Sequence, residues 1–208
     1  MRDIGTDDEQ LDALRAWWAE NGRSVIAGVV LAVAGLVGWT GYGEWREHTL
    51  NQAALAWQQL ETAIERGDTA AVDQAAALSD RYKSTPYADL ARLAEARLRY
   101  DAEGADATMA VLAELAGDAR QKPVRDIARL RLARMQWQAD RPEEALTTLD
   151  GPMSEAFQTQ REELRGDILR TQGDFAAARA AYDRALAAAP ETADVALLRL
   201  KRDDLPAG

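Results

Sequence analysis

Residues 159–190 read TQREELRGDILRTQGDFAAARAAYDRALAAAP, and their spacing decides the architecture. Two apolar-periodic stretches flank Gly173-Asp174, and Pro190 closes the second. Gly and Pro at those positions end helices, so the segment is expected to be a helical hairpin. Gly166 falls at a small position of the first helix and Leu169 at a large apolar one. Ala178, Tyr182 and Ala185 make a small-large-small series on the second. Small residues let two helix axes approach, and Leu169 and Tyr182 fill the space beside them.

Outward from this hairpin the plan recurs. Residues 127–149 pair Ala133 with Ala145 and put Leu149 at the large position, about one 34-residue period upstream. PYADLARLAEARLRY (86–100) with GADATMAVLAEL (104–115), and LAWQQLETAIERGDTAAVDQAAAL (55–78), repeat it more loosely. Residues 101–108 and 117–123 depart from the pattern. Breakers punctuate the chain at Gly67-Asp68, Ser84-Thr85-Pro86, Gly104, Lys122-Pro123, Arg141-Pro142, Gly151-Pro152, Gly173-Asp174 and Pro190. The series resembles the tetratricopeptide repeat, with Glu162 where that repeat carries an early Trp. The expected fold is all-α, a TPR-like helical-repeat solenoid over 44–208.

Before the repeats lies the longest uncharged stretch, SVIAGVVLAVAGLVGWTGYG, residues 24–43. Twenty helical residues span about 30 Å, the thickness of a hydrocarbon core. Trp17 and Trp18 precede it and Trp39, Tyr42 and Trp45 mark its far end, as an aromatic belt would. In a domain this small a core helix would keep a polar face toward solvent, and this one has none. Ala32-Val33-Ala34 resembles a signal-peptide cleavage site. A signal peptide, however, starts cationic, and residues 1–23 hold three Arg against six acids, Asp3, Asp7, Asp8, Glu9, Asp12 and Glu20. An uncleaved transmembrane anchor fits better. Arg2, Arg15 and Arg23 precede the span, whereas only Arg46 lies in the seventeen residues after Gly43. That bias puts 1–23 in the cytoplasm and 44–208 outside. Within the first part, Leu11, Leu14 and Trp18 share a helical face over residues 7–21, with Asn21-Gly22 as the expected break.

Composition narrows the function. The net charge is −10, from 35 acidic against 25 Lys and Arg residues, so no nucleic-acid partner is expected. With no Cys and a single His, His48, the chain lacks the material for thiolate chemistry, a Cys or His metal site or a Ser-His-Asp triad. No phosphate-binding loop, HExxH, GxSxG or dinucleotide motif occurs. Carboxylate pairs such as Glu143-Glu144 and Glu162-Glu163 are expected to be solvated helix faces. Arg165-Gly166-Asp167 spells an adhesion tripeptide, but its Gly already has a packing role. No catalytic residue, cofactor, metal or small-molecule substrate is expected.

What remains is protein binding. Gly28, Ala32 and Gly35 share one face of the anchor and suit close approach of another membrane helix. In a TPR solenoid the first helix of each repeat lines the concave side. Ile127, Leu130, Arg134 and Trp137, then Gln160, Glu163, Asp167 and Arg170, are expected on that stripe. A groove with Trp137 between Arg134 and Arg170 suits an extended or helical peptide, while Trp137 equally suits packing against a neighbouring helix.

LRAWWAENGRSVIAGVVL (14–31), YKSTPYADLARL (82–93), IARLRLARMQ (127–136) and ELRGDILRTQGDFAAARAAYDRAL (163–186) occur in one order along the chain. In them the chain resembles the YfgM-type ancillary subunits of the SecYEG translocon of Gram-negative inner membranes. The resemblance implies a single-pass type II inner-membrane protein. Its periplasmic TPR-like domain would associate with SecYEG and a PpiD-type periplasmic chaperone, and it would carry no catalytic residues. The competing expectation is a TPR scaffold for an unrelated envelope complex, in cell division or wall assembly.

Overall fold

The computed structural model describes residues 5–206, with side chains from Leu11 onward. Arg2, Asp3, Asp7, Asp8 and Glu9, used above for charge bias, lie outside the described residues or side chains. Nine α-helices follow one another, with no strand among the described residues: α1 Gly5–Glu65, α2 Ala71–Arg81, α3 Pro86–Glu103, α4 Ala105–Asp118, α5 Lys122–Gln138, α6 Pro142–Asp150, α7 Gln158–Thr171, α8 Phe175–Ala188 and α9 Ala196–Asp203. Every expected breaker after residue 60 falls between helices or at the first two positions of one. Pro occupies the first or second position of α3, α5 and α6, where its missing N–H would have no intrahelical partner anyway.

The expected break at Asn21-Gly22 does not occur, because α1 runs through it. One interior Gly costs a helix only about 1 kcal/mol, which a run this long absorbs. The amide of Asn21 also donates back to the Trp17 carbonyl at 3.0 Å, and the Trp18 ring packs over Gly22. Between Ser24 and Gly43 the side chains stand almost wholly exposed, Leu31 at 73% and Trp39 at 79%. This is the one helix among the described residues long and apolar enough to cross a membrane. The chain divides into two compact units, 1–51 and 52–208.

In the second unit the helices pair in sequence: the end of α1 with α2, α3 with α4, α5 with α6, α7 with α8, then α9. Each pair turns through one residue at positive φ: Gly67, Gly104, Asp140 and Gly173, about 35 residues apart. At Gly173, with φ of 81°, the absent Cβ permits the turn, and the Asp174 carboxylate then caps α8 by accepting from the Ala177 N–H at 3.0 Å.

The core is a row of small clusters rather than one mass. Ala53, Leu60, Ala75, Leu78 and Ala91 join α1, α2 and α3. Leu112, Leu115, Ala128 and Leu132 join α4 to α5. Ala133, Ala145, Leu149, Leu164 and Ile168 join α5, α6 and α7. Ala178, Tyr182, Ala185 and Leu198 join α8 to α9, with Leu169 against them. Each cluster thus belongs to neighbouring elements only, as in a solenoid.

Buried carboxylates run alongside. The Asp89 side chain accepts from the Gln121 N–H at 2.9 Å, and Asp126 accepts from the Ser154 N–H at 3.2 Å and from the Ser154 hydroxyl. Each ties one repeat to the residue that precedes the next. Glu162, expected on a solvated face, is buried as well: it is 6% exposed and accepts from the Arg184 Nε at 2.8 Å, with Arg161 and Arg165 beside it. Charge-assisted bonds offset the desolvation that would otherwise forbid its burial.

The packing of the last hairpin is tight enough to test. A Cβ added to Gly166 would lie 2.5 Å from Tyr182 Cε1 and 2.6 Å from Cδ1, and the Tyr182 ring is fully buried. Gly166→Leu should therefore destabilise the folded chain by about 1–3 kcal/mol or more, and Gly166→Ala by a smaller amount of the same sign. The exposed control Gln160→Ala should stay within about 0.5 kcal/mol. Thermal melts of the purified variants check this; unchanged melting of Gly166→Leu would contradict the contact.

Candidate functional site

The anchor residues of the candidate surface are open. Gly28, Ala32 and Gly35 are all exposed, and a Cβ at Gly28 or Gly35 would meet nothing within 4 Å.

On the repeats the expected stripe divides. Leu130 is buried in the cluster joining α5 to α7, because it sits one face away from solvent. Trp137 is half-buried against the same cluster, and its indole Nε1 donates to the Thr171 hydroxyl at 3.1 Å. Its ring packs between helices, the alternative the sequence left open. Arg134 and Arg170 are exposed and carry no ion pair among the described residues.

Glu163 and Asp167 are half-buried and already partnered. Lys201 of α9 donates to Glu163 Oε1 at 2.7 Å and to Asp167 Oδ2 at 2.8 Å, while the Tyr182 hydroxyl donates to Asp167 Oδ1 at 2.8 Å. Burial by itself lowers the Lys201 ammonium pKa, but the bonds to Asp167 and Glu163 outweigh it and hold it above its ordinary 10.5. Burial first, and then the Asp167 bond, push the Tyr182 phenol far above its ordinary 10.0. Arg179 completes the cap by donating to the carbonyls of Arg202, Leu205 and Pro206. The C-terminal helix therefore sits over part of the stripe. Sequence periodicity could not show this, because Lys201 lies more than thirty residues from its partners.

Arg134 faces elsewhere. With Arg131, Met135 and Gln138 on α5, Ala96, Arg97 and Tyr100 on α3, and Thr108 and Leu112 on α4, it lines an open pocket of about 330 Å³. Tyr100, 52% exposed, is the exposed aromatic among the described residues after Asn51. Nothing in the repeat alignment singled out Tyr100, Arg97 or Arg131, since consensus positions mark packing and these point away from it.

A model of the tetratricopeptide repeat-like domain family matches residues 15–207. The chain belongs to that family. Among named proteins it is similar to the "Ancillary SecYEG translocon subunit" of Escherichia coli (strain K12), 29% identical over 177 residues, 85% of each chain. The protein of the same name from Haemophilus influenzae is 29% identical over 185 residues, 86% of this chain and 88% of that one. The one from Aggregatibacter actinomycetemcomitans is 25% identical over 182 residues, again 86% and 88%. The resemblance seen in the sequence to ancillary subunits of this translocon is thus found across most of both lengths. No solved structure matches the chain.

The cap of this TPR-like domain should titrate at alkaline pH. Lys201 and Tyr182 both hold their protons more tightly folded than unfolded, so their contribution is complete below the ordinary values of 10.5 and 10.0. It is lost as pH rises beyond them, where the unfolded chain releases protons that the folded chain retains. The melting temperature should therefore fall between about pH 10 and 11, and less steeply in a Lys201→Met, Tyr182→Phe variant. An identical slope in that variant would remove these two groups as the cause.

Proposed function

We propose that this chain is a non-enzymatic adaptor of the SecYEG translocon, anchored in the inner membrane by residues 24–43. In this reading residues 1–23 are cytoplasmic and 44–208 form a periplasmic TPR-like domain. That domain links protein translocation to a PpiD-type periplasmic chaperone. The observation that carries the reading is the extent of the similarity. The 177 matched residues of the Escherichia coli ancillary subunit are more than the stretch after Gly43 contains, so the likeness reaches into the apolar helix beyond the repeats.

Two surfaces divide the work. The exposed stripe of Gly28, Ala32 and Gly35 accepts another membrane helix by close packing, without charge. The repeats, with Arg134, Trp137 and Arg170 and the acidic positions Glu163 and Asp167, accept the extramembrane partner. Lys201 already engages both acids, so their share lies in seating α9 beside the surface. Anchoring raises the effective concentration of the second contact once the first is made.

Topology is checked by adding protease to intact spheroplasts. Digestion of 44–208 with 1–23 spared is expected; protection of the repeats until lysis would reverse the orientation. Function is checked by affinity isolation of the full chain in mild detergent. SecYEG and a PpiD-type chaperone should co-purify, and exchanging the anchor for an unrelated transmembrane helix should reduce SecYEG recovery several-fold. Recovery of SecYEG no greater than with an unrelated single-span protein would sink the translocon reading in favour of another envelope scaffold.

A further inference from the structure

The pocket among α3, α4 and α5 has a chemistry that the adaptor reading does not specify. Its rim carries three guanidinium groups, Arg97, Arg131 and Arg134, and no carboxylate lines it. Arg131 and Arg134 are exposed and have no ion-pair or hydrogen-bond partner among the described residues. Arg97 reaches only Asp101, at 3.7 Å between two side chains 75% and 64% exposed, a pair that solvent largely screens. In a chain with ten more acidic than basic side chains, carboxylates are abundant. Arg92, Arg99, Arg165 and Arg202 all pair with them.

The arrangement follows from helix register. Arg131, Arg134, Met135 and Gln138 fall at i, i+3, i+4 and i+7 and form one face of α5. That face meets Arg97 and Tyr100, seven and four residues before Gly104, which caps the end of α3, and Thr108 and Leu112 of α4 supply the floor. Leu112 is 2% exposed and Met135 half-buried, so the floor is apolar under a cationic rim. Exposed Tyr beside Arg is the composition that dominates the energetics of protein interfaces, and Arg forks match carboxylates in two-bond geometry.

We infer that this pocket binds an acidic segment of a partner protein, its carboxylates on Arg97, Arg131 and Arg134 and an adjacent apolar side chain against Tyr100 and Leu112. The inference deepens the adaptor reading, and rests on it only in taking the ligand to be a protein segment. Charge complementarity selects the occupant: a basic or neutral segment would leave three guanidinium groups facing like charge or nothing. A lipid headgroup would satisfy the rim but leave the apolar floor unused.

The test uses the full chain in a non-ionic detergent and three short fluorescein-labelled peptides, one of Glu and Leu, one of Gln and Leu, and one of Lys and Leu, read by fluorescence anisotropy. The Glu-Leu peptide should bind at least ~10-fold more tightly than either other, and more weakly as salt rises. Arg131→Glu with Arg134→Glu should cost that preference and favour the Lys-Leu peptide instead. Arg199→Glu, an equal kind of charge change at an exposed position of α9, should leave it in place. Tyr100→Ala should weaken binding of the Glu-Leu peptide without altering its salt dependence. Equal affinity for the Glu-Leu and Gln-Leu peptides overturns the inference. So does an equal loss in Arg199→Glu, or capture of phosphatidylglycerol vesicles by the rim without peptide binding. Peptide discrimination without SecYEG recovery would fail the translocon reading and keep this site; recovery without discrimination would do the reverse.

Discussion

A glycine seated against an aromatic ring sets the geometry on which the last repeat depends. Gly166 on α7 leaves no room for even one methyl group before Tyr182 of α8, whose ring is wholly buried. That approach brings the Tyr182 hydroxyl within 2.8 Å of Asp167, and Asp167 in turn within 2.8 Å of Lys201 on α9. One steric constraint therefore positions a polar chain through which the terminal helix is held. Close packing gives the distance and charge-assisted hydrogen bonds give the register.

The other hairpins use the same physics with different atoms. Ala133 against Ala145 and Leu149 does for α5 and α6 what Gly166 and Tyr182 do for α7 and α8, all three residues being fully buried. Between repeats, each buried acid near the start of a first helix reaches forward, Asp89 to the Gln121 N–H and Asp126 to that of Ser154. Unpaired, a carboxylate in such a place would cost several kcal/mol; paired, it fixes the spacing between neighbours. Because every cluster touches only the next elements, stability accumulates along the chain and function is free to occupy the outward faces.

Those faces differ in character. The anchor presents small uncharged residues, suited to van der Waals contact in lipid. The repeats present Arg and Tyr at one pocket, while the acids nearer the C-terminus are consumed in holding α9. In the adaptor we propose, this separation would let one partner be met through shape and the other through charge.

The amino-acid sequence determined the all-α repeat fold, the turns between the repeat helices and the packing positions of the last two repeats, because Gly, Pro and small-large-small spacing act locally and over one period. It also determined the apolar anchor, whose length and lack of charge suffice by themselves, and the likeness to ancillary translocon subunits. It misplaced a break at Asn21-Gly22, because a single weak interior position is overridden when a long helix surrounds it. The site was less legible. Gly28, Ala32 and Gly35 share a face by simple periodicity, but only tertiary contacts buried Leu130, turned Trp137 onto Thr171, gave Glu163 and Asp167 to Lys201, and set Arg131 and Arg134 opposite Tyr100. Those pairings join residues roughly thirty apart in sequence, and no local spacing encodes which of two exposed-looking helix positions a later element will cover.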